Sequence, residues 1–153
     1  MNMQSLYDRD FNLWIQEHIL LLKEARFNEI DTVHLVEELE DMGKRDKREL
    51  KSRLRVLIAH LLKWQFQPEG RSTSWESSIN EQRLEIIYLL KDMPSLKNLI
   101  DSAIMEIYTD AVDWASDETK LAQTVFPPQC PFSQEQLLDK KFFPYDNKRQ
   151  CQD

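Results

Sequence analysis

Apolar positions recur with a helical period along most of the chain. In DRDFNLWIQEHILLLKEARF, Phe11, Trp14, Ile15, His18, Ile19 and Leu22 share one face, which predicts a helix from about Asp10 to Arg26. Asp31 is the predicted N-cap of the next helix, because a carboxylate there can accept the free N–H groups of a first turn. Apolar positions then run through Leu35, Val36, Leu39 and Met42, pause, and resume at Leu50, Leu54, Leu57, Ile58, Leu61 and Trp64 until Pro68. The pattern fits one helix from Thr32 to Phe66, about 50 Å long, or two helices broken near Gly43. The acid-first pairs Glu40–Lys44, Asp41–Arg45 and Glu49–Arg53, each four residues apart, favour continuity.

After the loop QPEGRSTS, Ser74 is the expected cap of a helix striped by Trp75, Ile79, Ile86, Ile87 and Leu90. Pro94 opens a further helix, where its missing N–H is tolerated. Leu96, Ile100, Ala103, Ile104, Ile107, Ala111, Ala115 and Ala122 line that helix's apolar face. FPPQCPF reads as extended, and SQEQLLDKKFF as a short helix with a Ser133/Gln136 capping box. The stripes predict an all-α fold: an antiparallel helical bundle with one or two long helices and a short C-terminal one. We expect one domain over 1–153, with its core at about 7–144 and a frayed tail at 145–153.

Composition narrows the function. With only Gly43 and Gly70, phosphate-cradling glycine loops and all-β folds are poorly supported. The net charge of −7 argues against charge-driven binding to nucleic acid or anionic membranes. Cys130 and Cys151 have no C-x-x-C spacing, so neither a disulfide framework nor a thiolate metal site is expected. No leader pattern or membrane-spanning apolar run is seen, and a cytoplasmic protein is expected.

Polar residues on apolar faces are the informative exceptions, because burying them is costly unless they are paired. His60 lies in line with Leu57 and Trp64, Arg53 a turn earlier, Arg83 between Ile79 and Ile86, Glu118 between Ala111 and Ala122, and Glu38 between Leu35 and Met42. One reading makes the five a structural ion-pair network that fixes helix register. The other makes Glu38, His60 and Arg83 catalytic, with Arg53 and Glu118 in support. A carboxylate and His60 would act as general base and acid while an arginine holds an anionic group.

Lys63, Trp64, Arg71 and Trp75 place cations and aromatics around one loop, a candidate ligand-binding set for a base or phosphate. His34-x-x-Glu37-Glu38 has metal-like spacing, but no second copy exists, so no metal and no cofactor are expected. Ser72, Ser74, Ser77 and Ser78 lack the G-x-S-x-G frame of a nucleophile and read as capping residues. Trp14, Trp64, Trp75 and Trp114 read as core or interface anchors.

The succession EELEDMGKRDKRELKSRLRVLIAHLLKWQFQPEGRSTSW, INEQR, MPSL, DETKL and FPPQCPF resembles the domain-of-unknown-function family 29, especially common in cyanobacteria. The resemblance spans roughly Tyr7 to Pro144. It implies a compact helical fold and brings no activity with it. It singles out Glu37, Glu38, Gly43, Arg53, His60, Trp64, Arg71, Trp75, Arg83 and Glu118 without assigning them roles.

No complete catalytic motif appears, while aromatics and amphipathic helices are plentiful. The expected function is therefore a non-enzymatic interaction or regulatory module, with a protein partner or a homo-oligomer. A small-anion-binding or hydrolase-like enzyme using the Glu/His/Arg cluster is the alternative, and weak nucleic-acid binding through Lys63, Arg71 and Trp75 the second.

Overall fold

The computed structural model describes residues 5–145. Among them the fold is all-α, with no strand. The chain divides into two compact units, Met1–Asp46 and Lys47–Asp153. The tail expected to fray lies outside the described residues except for Tyr145.

In the first unit, α1 (Leu6–Arg9) is capped by Ser5, and α2 (Phe11–Lys23) by Asp10, whose carboxylate accepts from the Leu13 N–H. The helix predicted to reach Arg26 stops at Lys23. The Arg26 N–H turns back to the Leu21 carbonyl, with Ala25 between them in the left-handed region at φ 57°. A side chain with a Cβ takes that conformation at some cost, and just after it Arg26 donates to Glu24 and Glu29 on the surface.

α3 spans Thr32–Phe66 as one uninterrupted helix, so Gly43 does not break it. Asp31 caps its start, accepting from the His34 N–H at 3.3 Å. Of the three charge pairs expected along α3, Glu49–Arg53 closes at 3.6 Å. Glu40–Lys44 and Asp41–Arg45 do not close within 4 Å among the described residues. Exposed pairs contribute little, and helix continuity does not depend on them.

The second unit holds the main core. Leu50, Leu54, Leu57 and Leu61 of α3 are sealed against Ile79 and Ile86 of α4 (Thr73–Asp92) and Ile100, Ala103, Ala111 and Ala115 of α5 (Ile100–Thr119). Ser72, and not Ser74, caps α4. Ser72 has the extended backbone that a cap needs and accepts from the Trp75 N–H, whereas Ser74 is already inside the helix. Pro94 opens a 3₁₀ turn, Pro94–Leu99, and the α-helix proper begins at Ile100.

α5 ends at Thr119, with Lys120 left-handed at φ 63°, so Ala122 falls outside the apolar face assigned to it. Phe126 and Phe132 then bury against the core, and the Tyr108 hydroxyl donates to the Pro127 carbonyl at 2.6 Å. α6 (Gln134–Leu138) begins with the Ser133/Gln136 capping box and inserts Leu137. No helix among the described residues is long and apolar enough to cross a membrane.

Candidate functional site

Most polar residues buried in the second unit find partners close by, although Gln65 Oε1 and Arg71 Nη2 find none among the described residues. Lys63 is 1% exposed. Its ammonium binds the Glu118 carboxylate and lies 4.7 Å from the centre of the Trp75 ring. Glu118 also accepts from the Trp114 indole N–H at 2.7 Å. Partial burial pushes the Glu118 carboxyl up, but its bonds to Lys63 and Trp114 outweigh that and hold it below its ordinary value.

Trp75 can approach because residue 70 is glycine. A Cβ at Gly70 would sit 2.7 Å from the Trp75 ring. Arg71 donates through Nε to the Trp64 carbonyl at 2.9 Å and lies over the Trp64 ring. The four residues of the candidate ligand-binding set are thus engaged with one another or with Glu118.

His60 hydrogen-bonds through Nδ1 to the Val56 carbonyl one turn back, at 2.8 Å, and meets the Trp114 ring edge-on. Burial, aided by the charge of Lys63, holds its imidazole below the ordinary value. The folded chain therefore takes up this proton at lower pH than the unfolded chain. Stability from the neutral ring is present above about pH 6.5 and declines as pH falls toward the folded value. His60→Gln should flatten that acid-side decline in melting temperature between about pH 7 and 5. His34 is shifted upward by its bond to Asp31, so it works in the opposite sense. It is common to both proteins, and the difference between their two pH profiles isolates His60.

Arg83 is 1% exposed, and among the described residues no carboxylate lies within 4 Å of it. Nε donates to the Leu137 carbonyl at 2.8 Å and Nη2 to the Gln136 carbonyl at 3.3 Å, while Nη1 finds no partner among the described residues. Burial lowers its pKa, partly offset by Asp139. The guanidinium thus holds the Leu137 carbonyl, which the helix end leaves unpaired, and shares the Gln136 carbonyl with the Asp139 N–H. Arg53 faces Gln82, Glu49 and Glu85.

Of the five residues proposed as a cluster, His60 and Glu118 come within electrostatic range of each other and of Lys63. Arg53 and Arg83 have the separate partners just named. Glu38 belongs to the first unit, where it accepts from the Tyr7 hydroxyl. Glu118 stands at the edge of its helix face, because the buried line passes through Ala115 and Thr119.

The first unit contains a polar hub that spacing did not reveal. The Asp31 carboxylate takes the Trp14 indole N–H at 3.3 Å and His34 Nδ1 at 2.6 Å, and the Asp31 N–H donates to His18 Nε2 at 2.9 Å. Tyr7 stacks on His34, with ring centres 3.9 Å apart. Its bond to the Glu38 carboxylate, with partial burial, raises its pKa to about 12. Asp31 was legible as a helix cap, but its other partners carried no sequence signal. Among the described residues no three His, Cys, Asp or Glu side chains converge as a metal cage.

Beside the hub, a groove of about 410 Å³ runs between α2 and the first part of α3, walled by Phe11, Ile19, Leu22, Leu39 and Met42. All five of these side chains are exposed.

The fold is that of an all-α protein with a sealed core in one unit and an open apolar surface in the other. The chain belongs to the family described as Domain of unknown function DUF29, whose model matches residues 6–143. No curated protein and no solved structure matches it.

Proposed function

We propose that the chain is a non-enzymatic interaction module whose recognition face is the apolar surface of α2 and the first part of α3. The observation that carries this reading is where apolar side chains stay wet. Of the fourteen exposed large hydrophobics among the described residues, ten lie between Phe11 and Met42. Five of these ten, Phe11, Ile19, Leu22, Leu39 and Met42, wall one groove, and a contiguous exposed apolar patch marks a binding surface. Its support is indirect as well: His60, Lys63, Arg71 and Arg83 each already hold a partner within the fold, as structural polar residues do.

The test places a photo-crosslinking residue at Val36, with a control at exposed Lys97. Val36 is expected to yield discrete protein adducts in a cell extract and Lys97 none. Leu22→Glu with Leu39→Glu should abolish the adducts yet change stability by less than about 1 kcal/mol, because both side chains already face water. A chain that unfolds with these substitutions, or that gives no adduct at Val36, would overturn the reading.

A further inference from the structure

We infer that the partner of this face is a second copy of the chain, packed antiparallel along the first part of α3 and crossing at Gly43. The inference rests on the proposed interaction surface and names its occupant. Gly43 is its first support. A glycine inside a helix is unfavourable relative to alanine, yet among the described residues a Cβ at Gly43 would meet nothing within 4 Å. Nothing among the described residues therefore calls for a glycine there. A second helix passing close to the backbone does, because contacts of that kind select residues without side chains.

The surroundings of Gly43 are the second support. Val36, Leu39 and Gly43 recur at a helical period on one face of α3. Val36 is 52% exposed and Leu39 is 59% exposed, so among the described residues nothing covers this face. Leu39 also forms the lip of the groove against Ile19 and Leu22, which makes the apolar surface continuous from α3 to α2.

Charge supplies the third support and the direction. Glu40 and Lys44 flank the face on the same side, one turn apart. Neither has an opposite charge within 4 Å among the described residues, although their spacing suits an intrahelical pair. A copy running the opposite way across Gly43 brings its Lys44 to this Glu40 and its Glu40 to this Lys44. The patch is then complementary to itself, as a two-fold interface requires.

Sedimentation velocity of the full chain over a concentration series tests the inference. A dimer is expected, weakened about tenfold or more by Gly43→Leu, in the range of a central interface residue. The new side chain points into open space, so the fold should survive, which circular dichroism checks. Glu40→Lys and Lys44→Glu should each weaken self-association, and mixing the two variants should restore a dimer of unlike chains.

Self-association indifferent to Gly43 and to both charges would overturn the inference. So would a chain that stays monomeric to about 100 µM, a concentration that bounds the affinity as very weak. In that case the crosslinker at Val36 separates the two ideas. Adducts with a different protein would leave the interaction surface standing and remove the second copy. No adduct at all would remove both.

Discussion

Arg83→Met is expected to lower the melting temperature by roughly 10 °C, which corresponds to about 3 kcal/mol for a domain of this size. Two effects oppose each other. Removing a buried guanidinium whose desolvation Asp139 only partly offsets relieves a cost. It also strips the Leu137 carbonyl of its donor and leaves the Gln136 carbonyl only the Asp139 N–H, and charge-assisted hydrogen bonds are worth about 1.5–3 kcal/mol each. The second effect should win, because Leu137 is fully buried and its carbonyl cannot turn to water without undocking α6.

The loss should be local first. Hydrogen exchange should report α6 and the residues after it opening before the rest of the second unit. Arg83→Lys should fall between, because an ammonium can reach one carbonyl but not fork to two. An Arg83→Met protein that melts with the wild type would show that Arg83 does not hold the C-terminal segment. The enzymatic alternative for this residue would then regain force.

Arg83 also shows what the sequence could tell. Its place in the core follows from spacing alone, four residues after Ile79 and three before Ile86, and both of those are sealed. Its partners do not follow, because they are backbone carbonyls more than fifty positions away, and a carbonyl has no sequence signature. Periodicity likewise located the α3 face at Leu50, Leu54 and Leu57, and it located the faces of Phe11–Leu22 and Leu35–Met42 just as well. The first is buried, while much of the other two stays exposed. A stripe states which side of a helix is apolar, but it does not state what covers it. In sequence, Lys63 groups with Trp64, Arg71 and Trp75 as cations and aromatics around one loop. It is buried because Trp75 and Glu118 close over it from α4 and α5. That depends on helix rotation and pairing order, which a one-dimensional pattern leaves open.

Lys63 leads to a second large effect, one that is asymmetric. Glu118→Gln should destabilise the chain by about 2 kcal/mol, because it leaves an ammonium that is 1% exposed without its counter-charge. That figure is below the range for a fully buried pair, since the Glu118 side chain is 48% exposed and water screens part of the interaction. Glutamine keeps an acceptor, but its one amide oxygen serves either Lys63 or the Trp114 indole, where the carboxylate serves both.

Lys63→Met should cost less than about 1 kcal/mol. It removes the charge and its desolvation together and keeps an unbranched apolar stem against the Trp75 ring. The double variant should then resemble Lys63→Met alone, so the effects fail to add by about 2 kcal/mol in a cycle of thermal or urea unfolding. Acid should erase the asymmetry. Glu118 titrates below its ordinary value in the folded chain, so its contribution is present above about pH 4.3 and is lost as pH falls through the folded value. Equal losses from the two single variants at neutral pH would mean that Lys63 is not desolvated. Its charge would then be open to an outside anion, as the ligand-binding alternative requires.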